Sequence, residues 1–220
     1  LGNIWKFPYI TGENGGGAFV LVYLACICLI GIPVMIGEVV MGRMGRQSPI
    51  NTLRALVKDN NANGAWVGIG WMGALAGFLI LSFYSVIAGW ALYYVFQMMS
   101  GEFSGTTAEK AGEVFGGLLS SPDTLLTWHT VFMILTIAVV ARGVTKGLEA
   151  AISILMPALF VLLIIMLGYA LSSDGFAEGF SFLFSPDFSK LTWEAVIVAL
   201  GHSFFTLSLG MGAIMAYGAY

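Results

Sequence analysis

Residues 17–42 run from Gly17 through Met41 with a single charge, Glu38, and no other feature limits the possible folds so sharply. Crossing the hydrocarbon core of a bilayer takes about 20 mostly apolar residues. Lipid offers backbone groups no partner, so such a run is stable there as a continuous helix that bonds to itself. Comparable runs recur at 65–99, 125–141, 147–171 and 192–220. Composition agrees: 58% of the residues are apolar and 10% charged, with a mean hydropathy of +0.89, whereas soluble domains average roughly a quarter charged. The net charge of −3 points to neither a nucleic-acid partner nor an acidic substrate. The fold class expected is an all-α, polytopic helical membrane bundle in contact with the lipid bilayer. Cys26 and Cys28 lie two apart on different faces of a helix, cannot bridge each other, and read as small buried hydrophobes.

No initiator methionine, charged leader or cleavage site precedes Leu1. The expectation is therefore a fragment, with residues 1–13 forming the outer half of a helix whose other half lies upstream. Polar stretches at 43–64, 100–124, 142–146 and 172–191 separate the runs. Stretch 43–64 holds Arg43, Arg46, Arg54 and Lys58, and 142–146 holds Arg142 and Lys146. The opposite side holds Lys6, Lys110 and Lys190 together with Glu102, Glu109, Glu113, Asp123, Asp174, Glu178 and Asp187. Basic loops stay inside, so 43–64 and 142–146 are expected to be cytoplasmic, in a multi-pass protein of the plasma or inner membrane.

Two places interrupt the helical pattern with glycine at membrane depth: Leu1-Gly2-Asn3 at the start and Ser208-Leu209-Gly210-Met211-Gly212 in the last run. Glycine-interrupted helices in two positions point to a transporter's midplane site, although glycines also serve plain close packing of helices. An unwound stretch frees carbonyls for a cation and amides for an anion, and Thr206 and Ser208 add hydroxyls. Glu38 is an intramembrane carboxylate. It either braces amides left bare by an unwound neighbour or snorkels to the interface five residues before Arg43. Tyr84 reads as a mid-membrane phenol, a satisfied core tyrosine or a ligand group. His129, beside Trp128, reads as an interface residue, and His202 as a hydrogen-bonded helix residue or part of an ion site. Gly147 and Pro157 suggest local unwinding or an ordinary kink in the fourth run.

Several strings then coincide. Leu1-Gly2-Asn3-Ile4-Trp5-Lys6-Phe7-Pro8-Tyr9, followed by Glu13-Asn14-Gly15-Gly16-Gly17-Ala18-Phe19, resembles the first-helix signature of the neurotransmitter:sodium symporters. Gly31-Ile32-Pro33 with Glu38 and Met41-Gly42-Arg43 resembles their second helix. Phe205-Thr206-Leu207-Ser208-Leu209-Gly210-Met211-Gly212-Ala213 resembles their broken sixth helix, and the Gly147 to Pro157 spacing resembles a feature of their fifth. The resemblance covers essentially the whole chain. It implies the first inverted repeat (helices 1–5) plus broken helix 6 of a LeuT-like fold: residues 1–13, 17–42, 65–99, 125–141, 147–171 and 192–220.

Carried over residue by residue, the resemblance implies that the amides of Leu1 and Gly2 and the hydroxyl of Tyr84 face a substrate carboxylate. Asn3 and Thr206 are implied ligands of a co-transported sodium ion. Ile80, Phe205, Ser208 and Met211 would line the side-chain pocket, with Thr206 beside it. Lys6 stands where relatives have an outer-gate arginine and keeps the charge without the planar fork. Met211 stands where many have an aromatic, giving a more adaptable pocket. Glu38 would brace the unwound segments, and Tyr217 and Tyr220 would lie toward the cytoplasmic gate. Tyr23 and Thr206 match chloride-binding positions of chloride-dependent relatives, but His202 replaces a glutamine, so chloride dependence is not expected. The function implied is sodium-coupled symport of a small neutral, hydrophobic amino acid by alternating access. The alternatives are an amino-acid sensor of the same fold that does not transport, and a sodium-coupled amine carrier. Glu38, His129 and His202 are isolated from one another in sequence and match no catalytic motif, so no enzymatic activity is expected.

Overall fold

The computed structural model describes residues 2–101, 103–105 and 107–220, and at Ala108 and Thr145 the backbone alone. Among the described residues, four helices are long and apolar enough to cross a membrane: Gly17–Gly45, Gly64–Met99, Pro122–Val140 and Lys146–Leu171. A shorter apolar helix spans Trp193–Leu207.

The first span is built in three parts: α2 (Gly17–Cys26), a π-wound turn at Ile27–Gly31, and α3 (Ile32–Gly45). Pro33, in the first turn of α3, has no amide to offer the carbonyl one turn back, and the wide turn falls where that bond is missing. Arg46, left-handed at φ 47°, stops α3 with its amide 2.8 Å from the Gly42 carbonyl. Before this span lie a π-wound segment at Gly2–Lys6 and α1 (Phe7–Glu13).

The polar stretches carry helices too short to cross. These are α4 (Pro49–Asp59), which leads through a 3-10 turn into α5 (Val67–Met99), then α6 (Ala108–Leu119) and α9 (Phe176–Phe184). The remaining long helices are α7 (Pro122–Val140) and α8 (Ala150–Leu171). A π-wound segment at Val144–Glu149 precedes α8, and Pro157 lies inside it. Around Gly147 the chain is thus wound wide rather than unwound, with the Leu148 amide 3.1 Å from the carbonyl of Gly143, five residues back. The last run divides into α10 (Trp193–Leu207) and α11 (Ala213–Gly218). Thr192 caps α10 by accepting from the Ala195 amide at 3.1 Å.

The chain forms two compact units: residues up to Leu79 with Ser172–Tyr220, and Ile80–Leu171. In the first, Phe19 and Tyr23 of α2 bury against Ala195 and Ala199 of α10, small residues that let the two helices approach. Phe7 joins them, its ring centroid 4.6 Å from that of Tyr23. A second seam joins α3 to α11. A Cβ on Gly42 would overlap the Met215 carbonyl oxygen, and one on Gly218 would stand 2.6 Å from the Val39 oxygen. In the other unit, a Cβ on Gly89 would stand 2.8 Å from the His129 nitrogen, so α5 and α7 meet backbone to backbone there. Trp128 packs on Phe96 and Tyr93 at centroid distances of 5.0 and 6.1 Å.

Candidate binding site at the broken helix

The break in the last run follows from backbone handedness. Ser208 (φ 55°), Gly210 (φ 81°) and Gly212 (φ 76°) are left-handed, a conformation in which L-residues do not propagate a helix. Glycine adopts it without steric cost, whereas Ser208 does so at some strain. α10 therefore ends at Leu207, and α11 restarts at Ala213.

Glu38 reaches this break from α3. Its Oε1 accepts a hydrogen bond from the Gly210 amide at 2.7 Å, across 172 positions of sequence. The residue is 6% exposed, too deeply buried for the snorkelling alternative. Its Oε2 has no partner among the described residues. Glu38 also lines a cavity of about 200 Å³ together with Gly37, Met41, Gly73 and Met215.

The opening segment meets the end of α10. Gly2 is buried, and the Phe205 ring occupies the space a Cβ there would need. Tyr23 Oη donates to Thr206 Oγ1 at 2.9 Å, and that hydroxyl donates to Asn3 Oδ1 at 3.1 Å. Three elements are thus joined through oxygen atoms, and neutral amide and hydroxyl oxygens are the donors that suit a hard cation. His202, 7% exposed, stacks between Phe7 (5.3 Å, 19°) and Phe205 (5.8 Å, 29°). Its Nε2 has no partner among the described residues. His202 and the exposed Lys6 border a cavity of about 220 Å³ with Ile10, Val198 and Phe205.

The structure therefore brings Gly2, Asn3, Phe205 and Thr206 together and connects Glu38 to Gly210. Ser208 and Met211 lie in the break, where the Met211 carbonyl carbon would stand 3.0 Å from a Cβ on Gly73. Ile80 and Tyr84 lie one turn apart on α5 and share a face. They belong to the second unit, as do Gly147 and Pro157. Tyr217, near the end of α11, and Tyr220, beyond it, are both exposed. Leu1 lies outside the described residues. Sequence reasoning did not see that Tyr23 is the donor to Thr206. The available signal was a hydroxyl inside an otherwise apolar run, on the face that also carries Phe19.

Comparison with known proteins yields concordant findings. The profile of the Sodium:neurotransmitter symporter family matches residues 1–112 and 120–220. An uncharacterized sodium-dependent transporter of Bacillus subtilis, YhdH, is 43% identical over 220 residues, covering all of this chain and 48% of the relative. The bovine sodium-dependent neutral amino acid transporter B(0)AT2 is 28% identical over all of this chain and 33% of its own length. The crystal structure of MhsT in complex with L-phenylalanine superposes with a TM-score of 0.89 at 48% identity, covering 100% of this chain and 49% of that one. The chain spans about half the length of the first bacterial relatives it matches.

Proposed function

The chain belongs to the sodium:neurotransmitter symporter family, and from that premise we propose that the transporter to which these residues contribute carries a small neutral, hydrophobic amino acid into the cell together with sodium. The observation that carries the reading is the link between Asn3 and Thr206 at 3.1 Å. It sets two hard oxygen donors from the opening segment and the broken helix side by side. A sodium ion held there is co-substrate rather than resident metal. Bound next to the substrate carboxylate, it would strengthen the carboxylate's site and be strengthened by it in return, a coupling that must be reciprocal. The amides of Leu1 and Gly2 and the Tyr84 hydroxyl are assigned to the carboxylate. Ile80, Phe205, Ser208 and Met211 are assigned to the side chain, and Lys6, Tyr217 and Tyr220 to the two gates. The complex of MhsT with L-phenylalanine supports a hydrophobic amino acid as cargo. Glu38 keeps the break open by occupying an amide that would otherwise seek a helical partner. The cycle needs no covalent step and, with His202 at the glutamine position, no chloride.

Uptake by the full-length transporter in proteoliposomes tests this. Hydrophobic amino acids should accumulate only with an inward sodium gradient, and at the same rate when gluconate replaces chloride. Equal uptake without sodium would overturn the coupling, and saturable binding without counterflow would show a sensor instead. Thr206→Ala removes one proposed sodium ligand and the acceptor of Tyr23. If its net worth is about 1.4 kcal/mol, within the range for one polar contact, the sodium concentration for half-maximal uptake rises about tenfold. An unchanged sodium dependence would take Thr206 out of the site.

A further inference from the structure

We propose that α9 is an outer-leaflet anchor, a short helix whose phenylalanine ladder enters the boundary between lipid headgroups and acyl chains. Phe176, Phe180 and Phe184 are spaced one helical turn apart, so they line a single face. Their rings form a continuous row, with centroid separations of 5.9 Å for the first pair and 4.5 Å for the second. Phe180 and Phe184 are 52% and 64% exposed. Glu178 and Ser181 project on other sides of the helix, which makes α9 amphipathic.

The height of α9 relative to the membrane follows from the three glycines that open the first span. A Cβ on Gly15 would stand 3.3 Å from that of Lys190. Lys190 lies in a solvated turn, where it pairs with Asp187 at 3.9 Å and both side chains are exposed. One residue further, a Cβ on Gly16 would stand 2.8 Å from the Phe182 ring, and one on Gly17 would overlap the Leu183 carbonyl oxygen. Gly17 is the first residue of the span Gly17–Gly45. The end of α9 is therefore pinned where the aqueous turn gives way to the hydrocarbon-crossing helix. Trp193, the first residue of α10, is 77% exposed after the same turn, and exposed tryptophan at a span's end marks the interfacial aromatic belt. A short amphipathic helix with Phe180 and Phe184 exposed at this level has the form of an interfacial anchor.

Spin labels at 176, 178, 180, 181 and 184, introduced singly into the full-length transporter with every native cysteine, Cys26 and Cys28 included, replaced by alanine, test the assignment. The protein is reconstituted in phosphatidylethanolamine–phosphatidylglycerol vesicles, and collisions with oxygen and with a water-soluble nickel chelate are compared. At 176, 180 and 184 oxygen should dominate, and at 178 and 181 nickel. Nickel dominating at the ladder would show an aqueous face. Low collision rates with both reagents at all three ladder positions would show that protein covers it. Either result overturns the proposal. Unmodified protein gives an independent reading: a phospholipid with a diazirine high on its acyl chain should label the peptide containing Phe176–Phe184, and absence of adducts there would also overturn it.

Discussion

Glu38→Ala is expected to abolish sodium-driven uptake and to destabilise the full-length transporter by about 1–3 kcal/mol, the loss of one hydrogen bond together with the space left by a buried side chain. The Gly210 amide, 2.7 Å from Oε1, would lose the acceptor that the buried Glu38 carries to the break. The cavity of about 200 Å³ beside it would also grow, adding a packing cost. Glu38→Gln retains an oxygen for Gly210, so it should recover most of the stability. Glu38→Met fills the space without offering an acceptor, so its comparison with Glu38→Gln separates bracing from mere filling of space. Thermal unfolding in detergent and uptake in proteoliposomes measure the two effects. An alanine variant that unfolds at the parent temperature would show that the contact does not hold the break in place.

The second large effect concerns the seam between α3 and α11. Gly42→Ala puts a methyl group where the Met215 carbonyl oxygen already lies. The two helices must separate, at a cost of about 1–3 kcal/mol for overpacking and with a matching loss of uptake. Gly37→Ala, five residues earlier on α3, meets nothing within 4 Å. It should be neutral or gain about 0.5–1 kcal/mol, because alanine is the better helix former. The same chemical change therefore has opposite signs on one helix. Equal melting temperatures for the two variants would mean that the seam is looser than the Gly42 contact implies.

The long spans were legible because lipid requires a run of roughly 20 apolar residues, and no surface helix needs one. The break was legible because Gly210 and Gly212 stand together in an apolar segment. The helices α4, α6 and α9 were not seen as helices: each is amphipathic, but 9–12 residues give only about three turns in which to tell that period from a polar connecting loop. The π-wound turns were not legible either. Pro33 removes an amide beside one of them, but a proline alone does not distinguish a wide turn from a kink. At the site, sequence could nominate Asn3, Thr206 and Glu38. It could not supply the bonds Tyr23–Thr206 and Glu38–Gly210, which span 183 and 172 positions.

The wide turn at Ile27–Gly31 also sets the phase of the first span. At about 100° per residue, an uninterrupted α-helix would carry Gly42, nineteen positions on from Tyr23, roughly 100° around the axis from it. The π turn takes up one additional residue and cancels that rotation. Tyr23, which faces α10, and Gly42, which faces α11, consequently lie on one line along the same side of the helix. A single span can thus hold both halves of a helix that is itself divided. The length of that turn, more than its composition, is what the alignment depends on. Removing one residue from it would swing Glu38 away from Gly210 while leaving every side chain of the site in the sequence.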